Sequence, residues 1–184
     1  SGNAAAARRA WKQALEHGQR HRGQLGERAL PVLAWASYLE LDDAFERYDR
    51  ITLDVKPRHL KAQLEVKARK LAELQKAYTE VVNLKQAEAA VCSLYRIGQG
   101  YQRFAQTLLH APVPAELKAL RRQDVVDEYR AQLARLAEAP QKKAAEGFDY
   151  ALGKAREYGV WNACSRAAGE ALAKADPEGH APPP

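Results

Sequence analysis

Residues 84–109 read LKQAEAAVCSLYRIGQGYQRFAQTLL and contain the clearest helical pattern in the chain. Apolar and small residues recur there in steps of three and four, which places them on one face of a helix with 3.6 residues per turn. That face consists of Leu84, Ala87, Val91, Leu94, Gly98, Tyr101, Ala105 and Leu108. We therefore predict a long amphipathic helix whose apolar face is directed to the core.

The segment before this helix shows the same pattern. Pro57 favours a helix start, because proline is tolerated in the first turn of a helix. The apolar positions that follow are Leu60, Leu64, Leu71, Leu74, Tyr78 and Val81. A polar joint at Asn83 separates the two helices, so we predict an antiparallel helical hairpin.

Prolines shape the prediction for the next segment. Pro112 and Pro114 end the hairpin, because proline inside a helix removes a backbone hydrogen bond and clashes with the preceding turn. A third helix is predicted over residues 115–137, and Pro140 is expected to interrupt the helical pattern. The residues predicted to face inward are Leu117, Leu120, Val126, Tyr129, Leu133 and Leu136.

Two more helices are predicted towards the C-terminus. One covers residues 141–158 and ends at Gly159, which is typical of a C-terminal cap. The other starts near Trp161. Their predicted inward residues are Ala144, Phe148, Ala151 and Ala155 in the first, and Trp161, Cys164, Ala168 and Leu172 in the second.

Two helices are predicted upstream of the hairpin. The first covers residues 4–21, with Trp11 and Leu15 on its apolar side. The second covers residues 27–53. Residues 43–46, Asp-Ala-Phe-Glu, have capping-box spacing, so a break just before them is an alternative. We prefer one long or kinked helix.

The pattern as a whole predicts an all-α fold. The chain has no sustained alternation of apolar and polar residues and no Asn-Gly or Asp-Gly turn between apolar runs. We expect about seven helices in consecutive antiparallel hairpins, as an α-solenoid or a helical bundle. Residues 4–175 are assigned to one domain. Residues 1–3 are typical of a cloning remnant, and the proline-rich residues 176–184 are predicted to be a disordered tail.

The composition excludes several classes of protein. The 184 residues are 46% hydrophobic and 28% charged, which is too apolar for a disordered chain. Two cysteines are too few for a disulfide-rich scaffold. No apolar run approaches the roughly 18 residues needed to cross a membrane. The absence of methionine indicates a fragment or a processed chain.

The net charge of +6 is unevenly distributed along the chain. Residues 1–30 and 55–85 are basic, and residues 31–54 between them are acidic. We interpret this as neighbouring helices with complementary charged faces. A polyanion site is less favoured, because the helical period spreads the basic residues of 55–85 around their helix and brings Lys67 near the apolar side.

No arrangement typical of catalysis is found in the sequence. Cys92 and Cys164 lie among apolar residues, and we interpret them as buried, inert thiols, with a disulfide between them as the less favoured alternative. Their spacing does not match a zinc site. His17 and His21 share a helix face without a third ligand, and no glycine-rich phosphate loop is present. We therefore predict a non-enzyme without cofactor or metal.

Residues 94–101, LYRIGQGY, resemble the first helix of a tetratricopeptide repeat. In that helix a Leu-Gly-like pair is followed by a tyrosine three residues later, and Ile97-Gly98 and Tyr101 stand in these positions. The resemblance implies that Gly98 lets the next helix approach closely and that Tyr101 fills the groove between the two helices. The second helix of such a repeat is not matched, because Pro112 comes too early for a repeat of about 34 residues.

Three further segments are similar to the C-terminal region of large tetratricopeptide-repeat proteins from myxobacteria and related bacteria. Residues 78–85 read YTEVVNLK, residues 93–101 read SLYRIGQGY and residues 159–164 read GVWNAC. This resemblance covers most of residues 25–175. It implies a scaffold associated with the cell envelope or with gliding motility, in the periplasm or envelope rather than the cytoplasm.

The predicted function is a non-catalytic protein–protein interaction scaffold of helical-repeat type. Stacked hairpins curve and present a groove, in which polar side chains hold a segment of a partner protein. The candidate partner-binding residues are Lys61, Arg69, Arg96, Gln99 and Arg103. Two alternatives remain open: a basic helical bundle that binds nucleic acid or an anionic surface, and a structural cap that closes a longer repeat array.

Overall fold

A computed structural model describes residues 12–13, 15–18, 20–24, 26, 28–53 and 57–175. These residues form helices and the joints between them, which confirms the predicted all-α fold. The predicted remnant at residues 1–3 and the predicted tail at 176–184 lie outside the described residues. The helix predicted over residues 4–21 lies partly outside them, and its described residues 12–13, 15–18 and 20 are helical.

Seven α-helices follow a short 3₁₀ helix at Arg22–Gln24 in the described part of the chain. They are α1 (Leu30–Glu40), α2 (Asp42–Asp49), α3 (Pro57–Val82), α4 (Ala87–Leu109), α5 (Ala115–Ala119), α6 (Gln123–Tyr158) and α7 (Ala163–Ala175).

Helix α4 lies at the centre of the molecule. It contacts α1, α2, α3, α6 and α7. Its N-terminal turns are buried at five consecutive residues, Ala89, Ala90, Val91, Cys92 and Ser93. In a solenoid each unit contacts only its neighbours in the sequence. The helices here surround one central helix, which is the arrangement of a bundle.

The predicted hairpin is confirmed as α3 and α4. Helix α3 begins at Pro57, and the chain turns after Val82, where Lys85 adopts a φ of 56°. Both predicted apolar faces are partly buried, but against different helices: the α3 face packs with Ala89 and Cys92 of α4, whereas Gly98 and Ala105 of the predicted α4 face pack against α6. Their buried members are Leu71, Leu74, Tyr78 and Val81 on α3 and Val91, Gly98, Ala105 and Leu108 on α4.

The prediction of one helix over residues 27–53 is wrong. The helix begins at Leu30 and is broken at Leu41, so that α1 and α2 are separate. The Leu41 N–H donates to the Tyr38 carbonyl, three residues back, at 3.1 Å, which interrupts the α-helical ladder. Asp42 and Asp43 then occupy the first turn of α2, where the helix dipole favours carboxylates.

The division predicted between residues 115 and 158 is also wrong. Helix α5 ends at Ala119, and α6 continues through Pro140 as one helix of 36 residues. A proline inside a helix costs roughly 3 kcal/mol. Burial on both sides of Pro140 offsets this cost. Ala137 packs with residues of α4, and Ala144, one turn after Pro140, is also buried.

The break between α5 and α6 changes which residues face the core. Leu120 and Leu136 were predicted to face inward but are 56% and 59% exposed. Leu133 is buried as predicted, and the buried position one turn later in α6 is Ala137, which leaves Leu136 on the outer side.

The C-terminal hairpin agrees with the prediction except at its joint. Gly159 caps α6 in the left-handed region with a φ of 66°. Trp161 is 58% exposed, because it precedes α7 rather than lying in it. Asn162 caps α7: its Oδ1 accepts hydrogen bonds from the N–H groups of Cys164 and Ser165 at 2.9 and 3.1 Å. The buried residues of this hairpin are Ala144, Phe148, Ala151, Ala155, Ala168 and Leu172.

Helices α4 and α6 touch through their backbones. A Cβ placed on Gly147 would lie 2.7 Å from the Cα and 2.8 Å from the nitrogen of Gly98. A Cβ on Gly98 would lie 2.8 Å from the ring of Phe148 and 3.0 Å from the Ala144 carbonyl oxygen. Gly98 therefore allows a close helix approach. The helix that approaches is α6, whereas the repeat resemblance implies the next helix in the sequence.

A disulfide joins Cys92 to Cys164, so the interpretation of two inert thiols is wrong. The two Cα atoms are 5.1 Å apart, although 72 residues separate them in the sequence. Sequence spacing could not bring them together, because their approach depends on α7 running parallel to α4 after two intervening helices. The bond fastens the first turn of α7 to the buried end of α4.

We predict that Gly147→Ala destabilises the protein and that Gly153→Ala does not. The new methyl group at residue 147 meets backbone, which cannot rotate away, so we expect a loss of about 1–3 kcal/mol in the free energy of unfolding. A Cβ on Gly153, also in α6, meets nothing within 4 Å. Alanine there should add roughly 0.5–1 kcal/mol through helix propensity. Urea unfolding measures both changes, and equal changes would contradict the close contact.

We predict that removing the disulfide lowers stability by about 4 kcal/mol in the chain-entropy model, since the bond closes a long loop of the unfolded chain. The measurement compares thermal unfolding with and without reductant, using Cys92→Ala/Cys164→Ala as the control that no longer responds to reductant. Thiol alkylation in denaturant gives an independent check. Two free thiols in the unreduced protein would contradict the bond.

Candidate interaction surface

The five predicted partner-binding residues lie on two helices. Lys61 and Arg69 are exposed on α3, whereas Arg96, Gln99 and Arg103 follow one another along α4. Among these five residues, Arg96 and Gln99 are hydrogen-bonded to each other. The structure therefore does not gather the five into one site.

Arg96 is held by the protein itself. Its guanidinium donates to Asp42 at 2.9 Å, to Gln99 at 2.7 Å and to the Tyr38 hydroxyl at 3.4 Å. It also lies 4.8 Å from the centre of the Phe45 ring. These contacts connect α1, α2 and α4, so Arg96 stabilises the helix arrangement and its donors are directed inward.

Lys67 ties α3 to the end of α2. Its side chain is 1% exposed, and its ammonium donates to the Ile51 carbonyl at 2.6 Å and to the Tyr48 carbonyl at 3.4 Å. A cation at this position satisfies the Tyr48 carbonyl in the last turn of α2 and the Ile51 carbonyl just after the helix. Burial lowers the pKa of Lys67, and the charge of Asp49 opposes that change.

Helix α2 is therefore an acidic helix that cations of α3 and α4 contact. Asp42 pairs with Arg96, and Asp49 lies 3.5 Å from Arg103, both on α4. Lys67 reaches the carbonyl end of α2 from α3. The uneven charge along the sequence is thus used in part for contacts between neighbouring helices.

The exposed apolar residues of α1 form a stripe. Val32 is 63% exposed, Trp35 38% and Leu39 43%, and their spacing of three and four residues places them on one side of the helix. The opposite side is buried at Ala34 and Tyr38, and Trp35 stacks on Tyr38 with ring centres 5.2 Å apart. Helix α1 is thus apolar on both sides, which is typical of a helix that packs against protein on both sides.

A cavity of about 430 Å³ lies between α1 and the end of α3, and its lining includes Leu33, Glu40, Leu41, Glu80 and Val81. The helical period places these α1 residues on a different side of the helix from the stripe. We call the stripe of Val32, Trp35 and Leu39 the α1 surface. Sequence analysis missed it, because the prediction of one long helix hid the change from the wholly apolar α1 to the charged α2. The signal was present in LPVLAWASYL, residues 30–39.

The buried tyrosines around α4 differ in whether their hydroxyl groups have a hydrogen-bond partner. The Tyr48 hydroxyl donates to the Gly100 carbonyl at 2.7 Å, whereas the Tyr78 hydroxyl is buried without a hydrogen-bond partner. Burial raises the pKa of both phenols and of Tyr38 above the ordinary tyrosine value, and for Tyr38 the Arg96 guanidinium opposes that rise.

The described residues contain no group of three or more metal-ligating side chains. His17 and His21 do lie side by side, with ring centres 4.4 Å apart. None of the described helices is both long enough and apolar enough to cross a membrane.

Comparison of the chain with protein-family models, curated proteins and solved structures yielded no match. The class that the structure itself defines is an all-α, disulfide-linked helical bundle.

We predict that the free energy of unfolding falls as the pH rises above the ordinary tyrosine pKa of 10.0. A phenol whose pKa is raised by folding stays protonated in the folded state, while the unfolded state ionises, so stability is lost with rising pH. Each such phenol contributes about 1.4 kcal/mol per pH unit in this range. Lys67 has the opposite sign, since its lowered pKa makes stability rise with pH up to its ordinary value of 10.5.

Urea unfolding between neutral and alkaline pH tests this prediction with matched variants. Tyr48→Phe and Tyr78→Phe should each reduce the alkaline slope, whereas Tyr150→Phe, at a position 66% exposed, should leave it unchanged. At neutral pH only Tyr48→Phe should cost about 1 kcal/mol, because only Tyr48 loses a hydrogen bond. An identical slope in all four proteins would contradict the burial of these phenols.

Proposed function

We propose that the chain is a non-catalytic protein-interaction module and that the α1 surface is its contact face. The observation that carries this proposal is the exposed apolar stripe of Val32, Trp35 and Leu39 on a helix whose other side is already buried. Contiguous exposed apolar residues on a soluble protein are typical of contact sites, and tryptophan is enriched at the energetic centres of interfaces.

The α1 surface favours an amphipathic helix of a partner protein. Apolar side chains at helical spacing on the partner would pack against Val32, Trp35 and Leu39. Glu40, which follows Leu39 and is exposed, favours a partner whose polar edge is basic. This differs from the sequence-based hypothesis, in which arginines of α4 hold the partner.

The alternative of a polyanion-binding bundle has less support. Lys67, part of the basic segment on α3, is buried against carbonyl oxygens, and Lys70 lies 2.6 Å from Glu73. Arg96 and Arg103 are paired with acidic residues of α2. A polyanion requires several exposed cations on one face. Lys61 and Arg69 remain exposed candidates on α3.

We further propose an oxidising compartment, such as the periplasm or the cell envelope. The Cys92–Cys164 disulfide supports this proposal, because such bonds persist outside the reducing cytosol. The association with a bacterial envelope or motility complex, which the resemblance implies, is compatible with that compartment and is part of the same proposal. A structural cap of a repeat array would use the same α1 surface, covered by a preceding repeat of a longer chain.

Affinity capture tests the proposed function. Immobilised wild-type protein is incubated with an envelope and cytosol extract of the source organism and washed with salt rising from roughly 50 to 200 mM, over which polyanion binding weakens steeply. We expect a discrete protein to be retained, and Leu39→Glu to reduce its affinity about tenfold or more, because a carboxylate would enter an apolar interface.

Two controls make the outcome decisive. Leu109→Glu introduces the same charge at a leucine that is 44% exposed, compared with 43% for Leu39, on a different face, and should retain the partner. Lys61→Glu and Arg69→Glu test the polyanion alternative without disturbing the Arg96 contacts. Nucleic acid or lipid released by salt and lost in these two variants would overturn the proposal. Failure to retain any macromolecule would favour the cap.

A further inference from the structure

The cavity between α1 and the end of α3 has the size and the walls of a small-molecule site. Its volume of about 430 Å³ is in the range that such sites occupy. Each wall is one face of a helix, because the lining residues recur at helical spacing. They are Leu33, Ser37 and Glu40 from α1 with Leu41 just after it, and Ala77, Glu80 and Val81 from α3 with Leu84 in the turn that follows. We call this space the α1–α3 cavity.

The α1–α3 cavity is apolar apart from a serine and two carboxylates. Glu40 comes from α1 and Glu80 from α3, and both side chains are exposed. The ion pairs within the described part of the chain use other carboxylates. None of the described lining residues is a lysine, an arginine or a histidine. The cavity therefore carries negative charge that its own walls do not neutralise, and it attracts a cation and repels an anion.

Ser37 adds a buried polar group to the wall of the cavity. It is 7% exposed, and its hydroxyl has no hydrogen-bond partner among the described residues. The Thr79 and Thr107 hydroxyls, by contrast, donate to the carbonyl four residues back in their helices at 2.8 Å. An unpaired buried hydroxyl costs free energy, so a ligand that bonds to Ser37 removes that cost. Rotation about the Cα–Cβ bond is enough to turn the hydroxyl towards such a ligand.

These polar groups match an ammonium ion. A primary ammonium has three hydrogen-bond donors and no acceptor. Two carboxylates and a hydroxyl oxygen supply three acceptors, at Glu40, Glu80 and Ser37. The apolar remainder of the lining excludes a ligand that is polar throughout, because its other polar groups would be desolvated without partners. The ligand class is thus an ammonium attached to an apolar chain.

We propose that the α1–α3 cavity binds a small primary amine with an apolar chain. The ammonium contacts Glu40, Glu80 and Ser37, and the chain packs against the apolar lining around Leu33 and Val81. The inference does not rest on the proposed function, because the α1 surface lies on a different side of α1 and receives a protein. Leu39→Glu, which tests the proposed function, should therefore leave amine binding unchanged.

Isothermal titration calorimetry with three probes of equal chain length tests the ligand class. Octylamine is protonated at neutral pH, since the ordinary pKa of an alkyl ammonium is about 10.4. Octanol carries the same chain without charge, and octanoate carries it with the opposite charge. We expect octylamine to bind most tightly and octanoate to bind at least about tenfold more weakly, because its carboxylate meets those of Glu40 and Glu80.

Matched variants test the site. Glu40→Gln and Glu80→Gln should each weaken octylamine binding about two- to fivefold, the range of a solvent-exposed ion pair. Glu65→Gln makes the same change at an exposed position of α3 outside the cavity and should have no effect. Ser37→Ala should weaken octylamine binding and at the same time raise the urea midpoint of the ligand-free protein, because it deletes a buried hydroxyl that lacks a partner. A purely structural role of Ser37 would not produce these opposite changes.

The remaining outcomes contradict the proposal in different ways. Equal affinities for octylamine and octanol would show that the cavity accepts any apolar chain. Octylamine binding that is unchanged in Glu40→Gln, Glu80→Gln and Ser37→Ala would place the amine elsewhere on the protein. Tighter binding of N-acetyl-lysine amide than of octylamine would assign the cavity to a lysine side chain of a protein. Absence of binding by octylamine would overturn the site itself.

Discussion

The contact between the backbones of Gly98 and Gly147 is the constraint on which the rest of the structure depends. It sets the distance between the central helix α4 and the longest helix α6, because any side chain at either position would enter the other backbone or the ring of Phe148. Small residues continue the contact along both helices, at Ala105 on α4 and Ala137 on α6. Close packing along this length explains why α6 passes through Pro140 without a break.

The remaining helices are fastened to α4 by different physical means. Helix α7 is joined to it covalently through Cys92 and Cys164. Helix α2 is joined to α4 by the ion pair between Asp42 and Arg96. The buried ammonium of Lys67 on α3 also holds the end of α2, through the Ile51 carbonyl. The apolar contacts of α3 supply the largest cluster of the core, around Tyr48 and Tyr78. These polar contacts give a charged sequence one specific helix arrangement.

Two cations of the core are used internally, and the surface proposed for recognition is apolar. Arg96 and Lys67 would be natural choices for binding an acidic partner, yet their donors are directed to Asp42 and to backbone carbonyls. The exposed stripe of Val32, Trp35 and Leu39 on α1 is proposed instead to receive another protein. That proposal follows from apolar surface that the described helices leave uncovered.

The sequence by itself determined the helical class, the α3–α4 hairpin, the inward faces of α4 and of the C-terminal half of α6, and the cap at Gly159. These features depend on local periodicity and on the backbone preferences of proline and glycine, which act over a few residues. The predictions of one helix over residues 27–53, of a break at Pro140 and of inward-facing Leu136 and Trp161 failed where a break or its absence depends on packing partners distant in the sequence.

Only the tertiary structure decided the pairing of Cys92 with Cys164, the internal use of Arg96 and the exposure of the α1 stripe. Each of these requires knowing which helices are neighbours in space, and periodicity within one helix contains no information about that. A close approach at Gly98 was implied only by the repeat resemblance, and for the next helix in the sequence. That Gly147, 49 residues later, is the residue that approaches was set by the way α6 packs back along α4.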